Sequence, residues 1–327
     1  MKKNYALMFA STFIFSFIFA ASATFANDVD ETPKKLAYIA SDLNIPFWAI
    51  MSKGIGNKAE SLGFEIEHYS ANNSPKVELQ NLIDAIEQKV DGIILSPISS
   101  STSVTLLKLA KKADIPVVIA GIGTDGGDYV SYVSSDNATG AYKLGQILGQ
   151  KMQEKGWQQG RVGIIAIPQK RENGKVRTQG FIKALGEYGI HKADLRQQVS
   201  FSYAETYEFS KQLIEQHSDL RAIWLQGSDR YQAALDAIKD THKIGEIFLI
   251  CFDAEPSFLE LIPQKVLVGS AMQQPFLMGE QAVKDLEDYF QGRPVNKETQ
   301  LPILAISENN IEQNLLIINR NVLGLVD

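Results

Sequence analysis

Three features of the sequence could do chemistry on their own. Gly121-Ile122-Gly123-Thr124-Asp125-Gly126 has the spacing G-x-G-x-x-G, with which a backbone wraps a pyrophosphate at a helix N-terminus. Such a site needs a helix directly after the glycines. Gly127-Asp128 and a strand-like run at 130–133 follow instead, so the segment reads as a flexible loop at the rim of a cleft. Serines and threonines crowd 96–103 and could hold a nucleophile, but Ser and Thr just before Leu106-Leu107 are accounted for as helix N-caps. One or two of them, Ser96 included, can still hydrogen-bond a ligand. His68, His191, His217 and His242 lie far apart and show no metal spacing. No G-x-S-x-G elbow occurs, and the single cysteine, Cys251, sits in an apolar stretch as a buried thiol. The residues therefore point to binding without catalysis, with no metal and no cofactor.

The elements that position these residues follow from the apolar pattern. Short apolar runs at 36–40, 64–68, 92–95, 116–120 and 130–133 read as strands, separated by amphipathic helices. The clearest helix places Leu79, Leu82, Ile83, Ile86 and Val90 on one face, with Ser74 as N-cap and Pro75 at its first position. After a helical stretch over 140–155 the alternation restarts, with strands predicted at 162–167, 199–202, 222–225, 247–251 and 266–271. A last strand signal covers 301–306, behind a helix at 275–289, which implies that the chain recrosses between units near its end. The fold class is thus α/β, with two doubly wound parallel-sheet lobes in series. Such sheets bind ligands beyond the carboxyl ends of their strands. Here those ends carry 41–48, 96–100, 121–128, 169–177, 226–230, 252–255 and 273–274, which gathers most polar and aromatic candidates at one kind of place.

The amino terminus has Lys2 and Lys3, an apolar run from Ala6 to Ala21, and then small residues. That is the pattern of a secretory signal peptide, cleaved after Ala23 or Ala26. The run is too short to span a bilayer, and no cysteine follows it to carry an acyl anchor. The 327 residues exceed one ordinary hydrophobic core, so two domains are expected. The formal net charge of −6, more negative once the two lysines are removed, argues against a nucleic-acid partner.

Several segments in order resemble the sugar-binding periplasmic proteins of the ribose-binding type, whose lobes also form the ligand domain of lactose-repressor-like regulators. They are Asn44-Ile45-Pro46-Phe47-Trp48, Val90-Asp91-Gly92-Ile93-Ile94-Leu95-Ser96-Pro97 and Ile115-Pro116-Val117-Val118, followed by Arg177-Thr178-Gln179-Gly180-Phe181, Phe252-Asp253, Gln273-Gln274-Pro275 and Pro302-Ile303-Leu304. A signal peptide stands where the repressors carry a helix-turn-helix, which excludes gene regulation. The resemblance implies a type I periplasmic binding fold with a hinge. Its N-terminal lobe would be residues 34–136 plus 275–302, and its C-terminal lobe 137–274 plus 303–327.

The resemblance also implies a site. Phe47 and Trp48, beside Asn44, match an aromatic pair that stacks on a sugar ring. Arg177 matches a ligand-binding arginine, Asp253 an acidic acceptor, and Gln273 an amide at the crossing between lobes. The family's asparagine in a C-terminal-lobe loop falls near Gly227-Ser228-Asp229, leaving Ser228 or Asp229 to make that contact. The chain departs from the pattern after Ile115-Pro116-Val117-Val118. Sugar binders place an Asp-Arg pair there that grips hydroxyl groups, and this chain has Gly121-Ile122. Ribose itself is therefore not expected. A sugar derivative or another small polar ligand is, bound in the periplasm for an ABC-type importer's permease. The alternative is a ligand sensor whose closed form engages the periplasmic domain of a sensor kinase or cyclase.

Overall fold

The computed structural model describes Met1 and residues 33–325; the expected signal peptide, 1–26, lies outside the described residues apart from Met1. The elements run β1 (Lys35–Ala40), α1 (Pro46–Ser61), β2 (Glu65–Ser70), α2 (Pro75–Glu87), β3 (Gly92–Ser96), α3 (Ser100–Lys112), β4 (Val117–Ala120) and β5 (Ser131–Ser135). They continue with α4 (Asn137–Glu154), β6 (Arg161–Ala166), α5 (Glu172–Glu187), β7 (His191–Gln197), α6 (Tyr203–Gln216), β8 (Leu220–Leu225), α7 (Tyr231–Asp240), β9 (Phe248–Phe252) and α8 (Phe258–Leu261). Then come β10 (Gly269–Met272), α9 (Pro275–Phe290), β11 (Glu298–Leu301), β12 (Leu304–Ser307) and α10 (Ile311–Ile317).

Strands β1, β3 and β4 are apolar runs buried along almost their whole length, as a parallel sheet covered on both faces requires. They form the middle of one six-stranded sheet, ordered β11-β5-β4-β3-β1-β2. The second sheet is ordered β12-β10-β9-β8-β6-β7, and only β10 with β12 is antiparallel. Each sheet has an apolar cluster on each face. The molecule is therefore two doubly wound lobes. Ser74 caps α2 by accepting from the Val77 N–H, and Ser99 caps α3 by accepting from Thr102, as the sequence pattern predicts.

Helices α1 and α9 touch backbone to backbone on the first lobe. A Cβ at Gly54 would lie 2.1 Å from the Phe276 carbonyl oxygen, and one at Gly279 would lie 2.4 Å from that of Met51. This contact draws α9, which follows the second lobe in sequence, back onto the first.

Two strand predictions change. The predicted strand at 199–202 is a loop, with Val199 80 % exposed and Phe201 at φ +52°. The strand of that βαβ unit is β7, the polar, half-exposed run HKADLRQ on the sheet's edge. An edge strand packs little of its surface, so it carried no apolar signal. The signal at 301–306 divides at Pro302-Ile303: β11 pairs with β5 in the first sheet and β12 with β10 in the second.

The chain thus crosses between sheets three times, at Asp136, at 273–274 and at 302–303. The crossings are tied together. The Asp136 N–H donates to the Leu301 carbonyl at 2.9 Å, and Gln274 Nε2 donates to the Pro302 carbonyl at 2.8 Å. Three adjacent crossings form the hinge joining the lobes.

Candidate functional site

The loops at the carboxyl ends of both sheets enclose a cavity of about 90 Å³ between the lobes. The first lobe contributes Ile45, Phe47, Trp48, Gly121 and Ile122. The second contributes Arg171, Arg177, Phe201, Asp229, Arg230, Asp253 and Gln273, with Ile167, Asn173, Gln226 and Gly227 between them.

The first-lobe wall is aromatic. Pro46 opens α1 with its ring at a position where a missing N–H costs nothing, and the helix start carries Phe47 and Trp48 to the cleft. Their rings meet edge to face, with centroids 4.7 Å apart. Trp48 is only 8 % exposed and belongs to the core of its lobe. Its six-membered ring lies over Gly121, where a Cβ would sit 2.8 Å from Cζ3. Gly121 is also at φ +84°, a conformation that disfavours any other residue. The indole therefore occupies the room that a side chain at 121 would need, which accounts for the missing Asp-Arg pair. The loop runs on to β5 with no helix after Gly126, so it cannot cradle a pyrophosphate in the dinucleotide manner.

The second-lobe wall is a charged network. The Arg177 side chain is 4 % exposed, and its guanidinium stacks on Phe252 at 3.8 Å. Its Nε donates to Asn137 Oδ1 at 2.7 Å and its Nη1 to the Gln226 carbonyl at 3.2 Å. Burial pushes its pKa down to about 10, an effect the Asp253 carboxylate opposes from 3.9 Å. Asp253 leaves β9 at φ +69° and accepts from Gln273 Nε2 at 2.6 Å. Burial raises its pKa, while Arg177 and Gln273 pull it back. Asp229 pairs with Arg230 beside it, and the Arg230 guanidinium lies over the Phe201 ring. Cys251 is buried below, where burial pushes its thiol up and leaves it inert.

Of the residues singled out from sequence, Phe47, Trp48, Arg177, Asp229, Asp253 and Gln273 come together on the cavity. Three do not line it. Ser96 is fully buried, its hydroxyl accepting from Tyr38 Oη at 3.2 Å, because the last residue of a central strand still points into the core. Ser228 turns to Glu255, donating at 2.8 Å, and lines a small adjoining recess instead. Asn44 bonds back to Asp42 Oδ1 at the edge of the first lobe. Sequence reasoning did not single out Arg171, Phe201 and Arg230 as cavity residues: the two arginines lie in strand-end segments, 169–177 and 226–230, where other residues were chosen, and Phe201 lies in a predicted strand.

Glu255, behind this wall, makes a pH prediction. Burial first, and then Asp229 and Asp253 nearby, raise its pKa from the ordinary 4.5 to about 7. Between those values the folded protein holds a proton that the unfolded chain has lost, so stability falls as pH rises through the window and is level above it. For a half-buried group, screened by solvent, the loss is on the order of 2 kcal/mol. Urea unfolding at pH 5 and pH 8 is expected to show that slope in the parent and less of it in Glu255→Gln. Equal slopes in the two would show that Glu255 does not titrate this way.

A profile of the periplasmic binding protein domain matches residues 36–294. The ribose import binding protein of Haemophilus influenzae is 25 % identical over 275 residues, covering 84 % of this chain and 91 % of that one. The D-allose-binding periplasmic protein of Escherichia coli is 21 % identical, covering 77 % and 83 %. Among solved structures, a periplasmic solute-binding protein of an ABC transporter from Actinobacillus succinogenes, with bound D-allose, superposes with a TM-score of 0.79 at 18 % identity. The alignment covers 86 % of this chain and 99 % of that one. The two hinged, doubly wound lobes are those of the type I periplasmic binding fold. This chain belongs to the periplasmic binding protein domain family.

Proposed function

We propose that this protein is a periplasmic receptor that closes its lobes on a sugar or sugar derivative and delivers it, chemically unchanged, to the permease of an ABC-type importer. The observation that carries the reading is the small cavity between the lobes, aromatic on one wall and lined by buried arginine, carboxylate and amide groups on the other. Aromatic faces take up the C–H groups of a sugar ring, and the charged groups take up its hydroxyls. Relatives named for ribose and D-allose over most of their length support the same class of ligand.

In this reading the signal peptide, 1–26, is removed on export to the periplasm. Residues 34–136 with 275–302, and 137–274 with 303–327, move as two bodies about the three crossings. Phe47, Trp48, Arg177, Asp229, Asp253 and Gln273 touch the ligand, while Ser96 and Ser228 support the walls from behind and Asn44 holds the loop before α1 at the lobe's edge. Closure adds second-lobe contacts to first-lobe ones and so shifts the population to the closed form.

A thermal-shift screen of sugars, polyols and small organic acids tests the reading. A ligand at a hundred times its Kd raises native stability by about 2.7 kcal/mol. A screen in which no sugar or sugar derivative shifts the transition, or in which a bound sugar is recovered altered, would overturn it. Presentation of the closed form to a periplasmic sensor domain uses the same closure. The neighbouring genes separate the two, a permease with an ATPase marking import and a sensor kinase or cyclase marking signalling.

A further inference from the structure

The charges on the second-lobe wall are unevenly paired. Arg171, Arg177 and Arg230 line the cavity, against the carboxylates of Asp229 and Asp253. Asp229 is taken by Arg230, and Asp253 lies between Gln273 and Arg177. Arg171, among the described residues, has no carboxylate and no hydrogen-bond acceptor. Its guanidinium lies 5.8 Å from the centre of the Phe201 ring, with that of Arg230 at 5.2 Å from the same ring. Two like charges thus share one aromatic ring, and Arg230 Nε is buried without an acceptor. Burial lowers the Arg171 pKa, and no neighbouring acid offsets it. A cation partly withdrawn from water without a partner is costly, and a bound anion offsets part of that cost. The first-lobe face opposite offers no acid, since Gly121-Ile122 stands where an Asp-Arg pair would be.

We propose that the ligand is a sugar acid, a polyhydroxylated molecule with one carboxylate, and that Arg171 receives the carboxylate at the Phe201 end of the cavity. This deepens the sugar-type reading and rests on it. One carboxylate matches the one arginine without an acid, since Arg230 also faces Glu205 and Glu255, and a phosphate monoester would bring nearly two negative charges among them. Arg171 also lines the outer mouth of the cleft with Lys170, Ser99 and Thr102. The carboxylate would therefore enter last and lie nearest to solvent, with the hydroxylated end inside between Trp48 and Arg177.

The test is calorimetry on the purified protein with D-ribonate and D-gluconate, against D-ribose, D-glucose and D-glucose 6-phosphate. The acids are expected to bind about 10–100-fold tighter than the matching neutral sugars, the range of one charge-assisted contact. Their affinity should fall as salt is raised. Arg171→Gln is expected to shrink the acid preference to within about threefold, and Arg171→Lys to keep part of it. Neutral sugars binding as tightly as their acids would overturn the inference and leave the sugar reading standing. Tighter binding of the phosphate would overturn the single-carboxylate assignment. Binding of none of the five would overturn the inference, and the sugar reading would fall with it only if the wider thermal-shift screen were negative too.

Discussion

Arg177→Ala is expected to lower ligand affinity on the order of 100-fold or more and to destabilise the unliganded protein by about 3 kcal/mol. The guanidinium is nearly sealed from solvent and held on three sides, by Phe252, Asn137 and the Gln226 carbonyl. Its Nη2 has no acceptor among the described residues, and the side chain borders the cavity, so the free donors are set for a ligand without further ordering. Truncation removes those donors, leaves the buried Asn137 Oδ1 without its donor and leaves Asp253 with Gln273 alone. Arg177→Lys keeps the charge but not the planar fork, and is expected to recover only part of both losses. Calorimetry reads the binding and urea unfolding the stability. Binding within about threefold of the parent would remove Arg177 from the ligand's contacts.

Trp48→Ala is the second large effect, and it falls on folding and binding together. A ring standing free in the cleft would be lost at the expense of the ligand alone. Trp48 is mostly buried among first-lobe residues, so deleting it opens a core cavity and costs about 3–5 kcal/mol. Losing its cleft edge is expected to weaken binding at least about tenfold. Trp48→Phe, which keeps an aromatic face in less volume, should restore most of the binding but not all of the stability. If the alanine variant unfolds at the parent's urea midpoint, the burial of Trp48 in the core contributes nothing.

Much of the fold was legible because covered parallel strands must be apolar throughout. Ile93-Ile94-Leu95 and Val117-Val118-Ile119 announce themselves, as do Ser74 and Pro75 at a helix start. β7 was not legible, because an edge strand buries little and has no need of apolar residues. Phe47, Trp48 and Asp253 were picked out by the resemblance to the sugar binders, and the fold brings all three to the cavity. Arg171 and Arg230 were hidden by neighbours: the first stands among lysines that are solvated, and the second beside an aspartate that seems to explain it. What distinguishes them is Phe201, which lies between them only once its loop has turned back to the cleft. Ser96 misled in the opposite way. Its place at the end of β3 is right, but the direction of its side chain depends on the strand's pleat.

The three crossings also set an order of assembly. The first lobe's sheet is complete only when Glu298 pairs with Tyr132, and its α1 face stays bare until α9 packs on it. A ribosome must therefore make almost the entire chain before that lobe can close. Contacts so distant in sequence form slowly, since the loop between them must be ordered first. A lobe that cannot mature early leaves its α1 face and its β5 edge uncovered for as long as the rest of the chain takes to arrive. The arrangement that joins two bodies by one hinge thus also delays the moment at which the first lobe becomes compact.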